Sequence, residues 1–105
     1  DYPWEMLIWK QLTNLEVMNN LEEIIKVLEK IPEDYWTNDS IEEAIITYIK
    51  AKDEKLGNYL WPMRVSLSGR KASPGPFDLA EVLGKEVTIK RLRFASSLLK
   101  NPMQD

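Results

Sequence analysis

Arg64 stands alone as a charged residue inside an otherwise apolar run, residues 59–68. Nine residues further on begins Ser73-Pro74-Gly75-Pro76, with Arg70 and Lys71 in the loop between. A guanidinium is planar and carries five N–H donors, so it can stack on a flat ligand or donate two parallel hydrogen bonds. The prolines stiffen the loop and present flat apolar faces. A helix starting behind the loop brings unpaired backbone N–H groups and the positive end of its dipole. Together these groups suit an unstacked nucleotide base. The same residues also suit a plain helical hairpin in which Arg64 caps the end of a neighbouring helix.

Covalent and metal chemistry find little footing elsewhere. There is no His and no Cys in the 105 residues. That excludes disulfides, thiolate zinc sites, Cys or Ser–His nucleophiles and imidazole bases. Carboxylates are abundant, but Glu22, Glu23, Glu42, Glu43, Asp53 and Glu54 fall on the polar faces of helical patterns, as a solvated surface would place them. No calcium loop, phosphate-cradling glycine loop or nucleophile elbow is present. The residues describe a binding or structural domain, with no catalytic residue and no metal ligand to assign. Trp61, beside Pro62, fits either a stacking platform or a core anchor.

Charge is divided along the chain. Residues 1–61 hold 6 basic and 13 acidic residues, a net of −7, whereas residues 62–100 hold 8 and 3, a net of +5. The second half can meet one localised anionic partner, or the two halves can be two solvated helical surfaces.

The elements that must position these groups read as helices. Pro3 opens a short helix over residues 4–12. Thr13 with Glu16 makes a capping box, ahead of a stripe of Val17, Met18, Leu21, Ile24, Ile25, Leu28 and Ile31 that Pro32 stops. Tyr35 and Trp36 are expected to pin the connector. Ser40 with Glu43 reads as a second capping box, before Ile41, Ala44, Ile45, Tyr48 and Ile49. A break at residues 55–57 precedes a helix over residues 59–68, with Gly69 as its left-handed end. Ser73 reads as the next N-cap and Pro74 as the first helical residue, with Phe77, Leu79, Ala80, Val82 and Leu83 packing inward. Gly84 ends that helix. The last runs over residues 85–100 with Val87, Leu92, Ala95 and Leu99 inward. No alternating strand pattern is sustained. The expectation is a single all-α domain of five to six helices. With 44% hydrophobic residues the chain is too apolar for disorder. No run approaches the roughly 20 apolar residues of a membrane helix, and no secretory segment opens it.

Three spaced stretches carry a resemblance. Pro62-Met63-Arg64-Val65-Ser66-Leu67-Ser68-Gly69, Ser73-Pro74-Gly75-Pro76-Phe77 and Leu83-Gly84-Lys85-Glu86 resemble the C-terminal end of bacterial-type glutamyl-tRNA synthetases. The family pattern there is P-L-R-x-A-L-T-G, then Ser or a small residue with Pro-Gly and an aromatic, then L-G-K-E. Met63 replaces its Leu, Ser66 its Ala and Ser68 its Thr, and Pro76 stands where the family has an aliphatic residue. Gly57, Trp36 and Trp9-Lys10 extend the likeness upstream, so it covers essentially the whole chain. It implies an all-helical anticodon-binding subdomain spanning residues 1–105. That subdomain would be a part of a longer synthetase, whose HIGH-type and KMSKS-type catalytic motifs are not in this sequence. Arg64 matches the Arg that contacts anticodon bases, and Ser73, Pro74, Gly75 and Pro76 match the loop that meets them. From charge alone, Arg70, Lys71, Lys90 and Arg93 are placed for phosphates. The implied partner is tRNA(Glu), with tRNA(Gln) as a second candidate, and no DNA or membrane. The implied setting is cytoplasmic and monomeric. ATP and Mg would belong to the parent enzyme, with no cofactor in this part. A freestanding helical protein-interaction domain is the alternative.

Overall fold

Capping, apolar spacing and prolines divide the chain into five α-helices: α1 (Asn14–Glu29), α2 (Asn38–Ala51), α3 (Gly57–Ser68), α4 (Pro76–Leu83) and α5 (Lys85–Lys100). Short 3-10 turns at Trp4–Leu7 and Glu33–Tyr35 complete them. The computed structural model describes residues 2–100, and no strand occurs among them. The all-α expectation is met.

Thr13 caps α1 as its sequence requires. Its hydroxyl accepts from the Glu16 N–H at 3.1 Å and the Glu16 carboxylate takes the Thr13 N–H at 2.8 Å. The stripe behind it, from Val17 through Leu28, faces inward, and α5 lies along it as the largest helix pair of the fold. Leu92, Ala95 and Leu99 supply the α5 side of the core. Val87 does not; it is exposed, and Thr88 is fully buried in its stead. A threonine can stand there because its hydroxyl donates to the Ala80 carbonyl at 3.2 Å. That carbonyl also accepts from the Trp36 indole N–H at 2.8 Å and from the Gly84 N–H at 3.0 Å. It knots the end of α4 to the connector before α2 and to α5.

Several other boundaries differ from the sequence expectation. The first helix stops at Leu7, because Ile8 is extended and Lys10 takes φ 56°. The Met6 carbonyl is taken by the Trp61 indole N–H at 2.9 Å. The cap of α2 is Thr37, not Ser40, whose N–H donates to the Thr37 hydroxyl at 3.2 Å. Asn38, now in the first turn, bonds Asp78 of α4, so contact with α4 favours the earlier start. Trp36 pins the connector, whereas Tyr35 is exposed. Helix α3 starts two residues early, at Gly57. Pro62 lies inside it and leaves the Asn58 carbonyl without its i+4 donor. The Asn20 side chain of α1 replaces that donor at 3.1 Å. Of the inward set expected on α4 only Ala80 is fully buried, and Val82 is 84% exposed.

Candidate nucleic-acid interface

The chain reverses between α3 and α4 in a loop over residues 69–75, and the side chains that hold this loop are the ones the sequence set apart. Gly69 closes α3 at φ 69°, a left-handed conformation that glycine adopts without steric cost. Arg64 points from α3 into the loop. Its Nη1 donates to the Ser73 hydroxyl at 2.9 Å and its Nη2 to the Lys71 carbonyl at 2.7 Å. The guanidinium lies over the Trp61 ring, 4.9 Å from its centroid. Trp61 is fixed in turn by its bond to Met6 and by Trp9, 5.1 Å away between ring centroids. Arg64 therefore caps neither helix end. It clamps the loop, and the two bonds leave three of its five N–H groups for a ligand. Trp61 is both anchor and platform.

Ser73 is not the cap of α4. Its hydroxyl accepts from Arg64 and donates to the Pro74 carbonyl at 2.8 Å. Gly75 takes the N-cap position, with Pro76 as the first helical residue, where its missing N–H costs nothing. Pro74 is exposed, and Gly75 and Pro76 are half-buried beside it. Arg64 is thus joined to Ser73, and Pro74, Gly75 and Pro76 continue from it into α4. Arg70 and Lys71 extend from the same loop, exposed to solvent.

The other two phosphate candidates do not join the loop equally. Lys90, on α5, lines a groove with Ser68 and Gly69 at the end of α3. Arg93 is ion-paired with Glu29 of α1, in a cleft that Glu33 and Glu86 also line. The residue that sequence reading passed over is Arg91. Its guanidinium donates to the Leu67 carbonyl, neutralising the negative end of α3, and it lines a cleft of about 300 Å³ beside Ser73, Pro74, Leu79 and Leu83. The available signal was its position one residue before Leu92, which the sequence does place inward. Such a flanking residue leans toward the neighbouring helix. Among the described residues no group of three or more carboxylates is placed to hold a metal ion. No helix among them is long and apolar enough to cross a membrane.

A small helical domain with an Arg-clamped, proline-rich loop on its basic half is the architecture of a nucleic-acid-reading module. The chain belongs to the anticodon binding domain family, whose model matches residues 1–96. Its relatives are glutamate–tRNA ligases. It is 39% identical over 104 residues to the enzyme of Clostridium tetani, covering 96% of this chain and 21% of that protein. It is 37% identical over 103 residues to the enzyme of Clostridium botulinum, covering 95% and 21%. The crystal structure of a glutamate tRNA ligase from Elizabethkingia meningosepticum in complex with its amino acid superposes with a TM-score of 0.74 at 28% identity, over 87% of this chain and 17% of that one. The chain spans about a fifth of the length of the curated relatives it matches.

Proposed function

We propose that residues 1–105 are the C-terminal anticodon-binding subdomain of a glutamate–tRNA ligase, which joins glutamate to tRNA(Glu) at the expense of ATP. The clamped loop carries this reading: a half-buried Arg64 holds Ser73 while keeping free donors beside the Pro74–Pro76 surface. Arg64 reads or stacks on anticodon bases, Ser73 through Pro76 shape the seat, and Arg70, Lys71 and Lys90 meet phosphates. Arg93 belongs with that set by its charge, although Glu29 pairs it. The partner is tRNA(Glu), with tRNA(Gln) accepted if the longer enzyme does not discriminate. The protein acts as a cytoplasmic monomer. ATP and magnesium are the concern of a catalytic portion outside these residues, and none of the 105 is assigned to them.

The test is aminoacylation by the full-length enzyme, using tRNA(Glu) and anticodon-substituted tRNA(Glu). Arg64→Ala should lower kcat/KM on the cognate anticodon by about 1–3 kcal/mol and change the substituted tRNA little. Arg64→Lys should recover little of the loss, because an ammonium has no planar fork. Equal losses on both tRNAs by a folded variant would remove base reading from Arg64. A full-length protein that binds no tRNA at all would favour the protein-interaction alternative.

A further inference from the structure

A second groove, adjoining the loop surface that Arg64 serves and sharing Leu67, Ser68 and Arg91 with the cleft beside Ser73, runs between the end of α3 and α5 and measures about 530 Å³. Small-ligand clefts are of this size, roughly 300–1,000 Å³. Tyr2, Leu67, Gly69, Lys90, Arg91 and Phe94 are among its walls. Val87, Lys90, Arg91 and Phe94 fall three or four residues apart on α5 and share one face. That face is unusual for a solvated helix, since Val87 is 39% and Phe94 48% exposed. Phe94 packs against Tyr2 in a T-shaped pair, 6.4 Å between ring centroids, and about half of its surface stays exposed to a ligand. Among the described residues the buried Tyr2 hydroxyl has no hydrogen-bond partner, and burial pushes its pKa up against the opposing influence of Ser66 and Arg91.

The charge of the groove states what it would accept. Among the described residues no carboxylate lines it, and Lys90 and Arg91 do. Three other clefts of the molecule each carry Asp or Glu: Glu29 and Glu33 in one, Glu16 and Asp53 in another, Glu42 and Glu43 in a third. Arg91 is oriented by its bond to the Leu67 carbonyl, which spends one of its five N–H groups. Lys90 also borders the neighbouring cleft that holds Glu86, yet within the groove an exposed aromatic ring flanked by two cations matches an unpaired base and its own phosphate.

We propose that this groove is a second RNA seat, in which Phe94 stacks on one unpaired nucleotide of the anticodon loop while Lys90 and Arg91 hold its phosphate. The proposal rests on the tRNA-binding reading and adds a nucleotide to it. The probes are tRNA(Glu) and anticodon hairpins carrying one abasic nucleotide at each loop position in turn, bound to the full-length enzyme. Phe94→Ala should weaken binding roughly five- to thirtyfold, within the range for loss of one base–aromatic stack, and Phe94→Tyr should preserve it. At one loop position the abasic change should weaken the wild type but not Phe94→Ala. Lys90→Gln should reduce the salt slope by about 0.7 to 0.9, the release of one phosphate contact. The proposal is overturned if Phe94→Ala and Lys90→Gln bind tRNA(Glu) as the wild type does while Arg64→Ala binds it less well. In that case the tRNA reading itself stands. It is also overturned if Phe94→Ala lowers only the melting temperature and leaves RNA affinity intact, the mark of a protein contact in the groove. A wild-type enzyme with no tRNA affinity would remove both readings together.

Discussion

Arg64 gives two N–H groups to its own loop and rests on Trp61, so it meets a ligand already oriented. Little side-chain entropy remains to be lost on binding, which favours the base-reading role proposed for it. The platform beneath it depends on close packing at Gly57. A Cβ there would lie 2.6 Å from Trp9 Nε1 and 2.9 Å from Trp9 Cε2. Gly→Ala in a helix gains up to about 1 kcal/mol of propensity. Here the Trp9 ring is stacked on Trp61 and cannot yield cheaply, and overpacking of this kind costs about 1–3 kcal/mol. The steric term wins. Gly57→Ala should lower the melting temperature by several degrees, at roughly 4–8 °C per kcal/mol. It should also weaken tRNA binding through the displaced Trp61. An unchanged or higher melting temperature would show that Trp9 moves freely.

Helix α3 owes its kinked-residue tolerance to α1. Pro62 removes the donor for the Asn58 carbonyl, and Asn20 supplies another from across the interface. Asn20→Ala should therefore destabilise the wild type by about 1 kcal/mol, the net worth of one hydrogen bond. It should do so much less in a Pro62→Ala background, where residue 62 again has an N–H. Chemical denaturation of the four proteins in the cycle measures the coupling, and additive effects would dissociate Asn20 from the proline. The same helices share a polar cluster. Burial acts to raise the Glu23 carboxyl, but hydrogen bonds from Lys52, Tyr59 and Tyr48 outweigh it and hold it below its ordinary value of 4.5. Burial and Glu23 push the Tyr59 phenol up to about 12. A depressed carboxyl stabilises the fold above its unfolded pKa and loses that contribution as pH falls through the folded value. A raised phenol favours the fold below pH 10 and costs stability from there to about 12. Melting temperature should thus decline on both sides, below about pH 4.5 and above pH 10. Tyr59→Phe should flatten the alkaline limb. An alkaline decline of equal size in Tyr59→Phe would place its origin elsewhere.

Charge is divided unevenly along the chain, and its basic second half carries the loop. Produced alone, the 105 residues should give a helical circular dichroism spectrum, one cooperative thermal transition and a monomer's elution volume. The isolated chain should bind tRNA(Glu) weakly, because it holds part of a larger contact surface and its −7 half repels phosphate. Three or four phosphate contacts predict a loss of affinity of roughly twenty- to a hundredfold between 50 and 200 mM salt. Tight binding that survives high salt, measured by fluorescence anisotropy, would contradict both the partial surface and its electrostatic character.

Local chemistry determined much of this protein on its own. Thr13 and Glu16 cap α1 through atoms three residues apart, Pro32 and Gly69 end helices by backbone sterics, and the apolar stripe of α1 names its buried face. The meeting of Arg64 with the Ser73 loop was legible because a lone guanidinium in an apolar run and a rigid loop are both visible in one dimension. Tertiary structure decided the rest, wherever two local solutions had nearly equal energy. Thr37 and Ser40 are both competent caps, and the contacts of Trp36 and Asn38 with α4 chose the former. Ser73 could have capped α4, but Arg64 claimed its hydroxyl, a partner nine residues away. Thr88 took the inward place expected of Val87 because a carbonyl at the end of α4 stood ready to accept its proton. Sequence spacing records which side chains share a face. It does not record which distant polar group will be waiting opposite, and that pairing settles where a cap falls and which residue is buried.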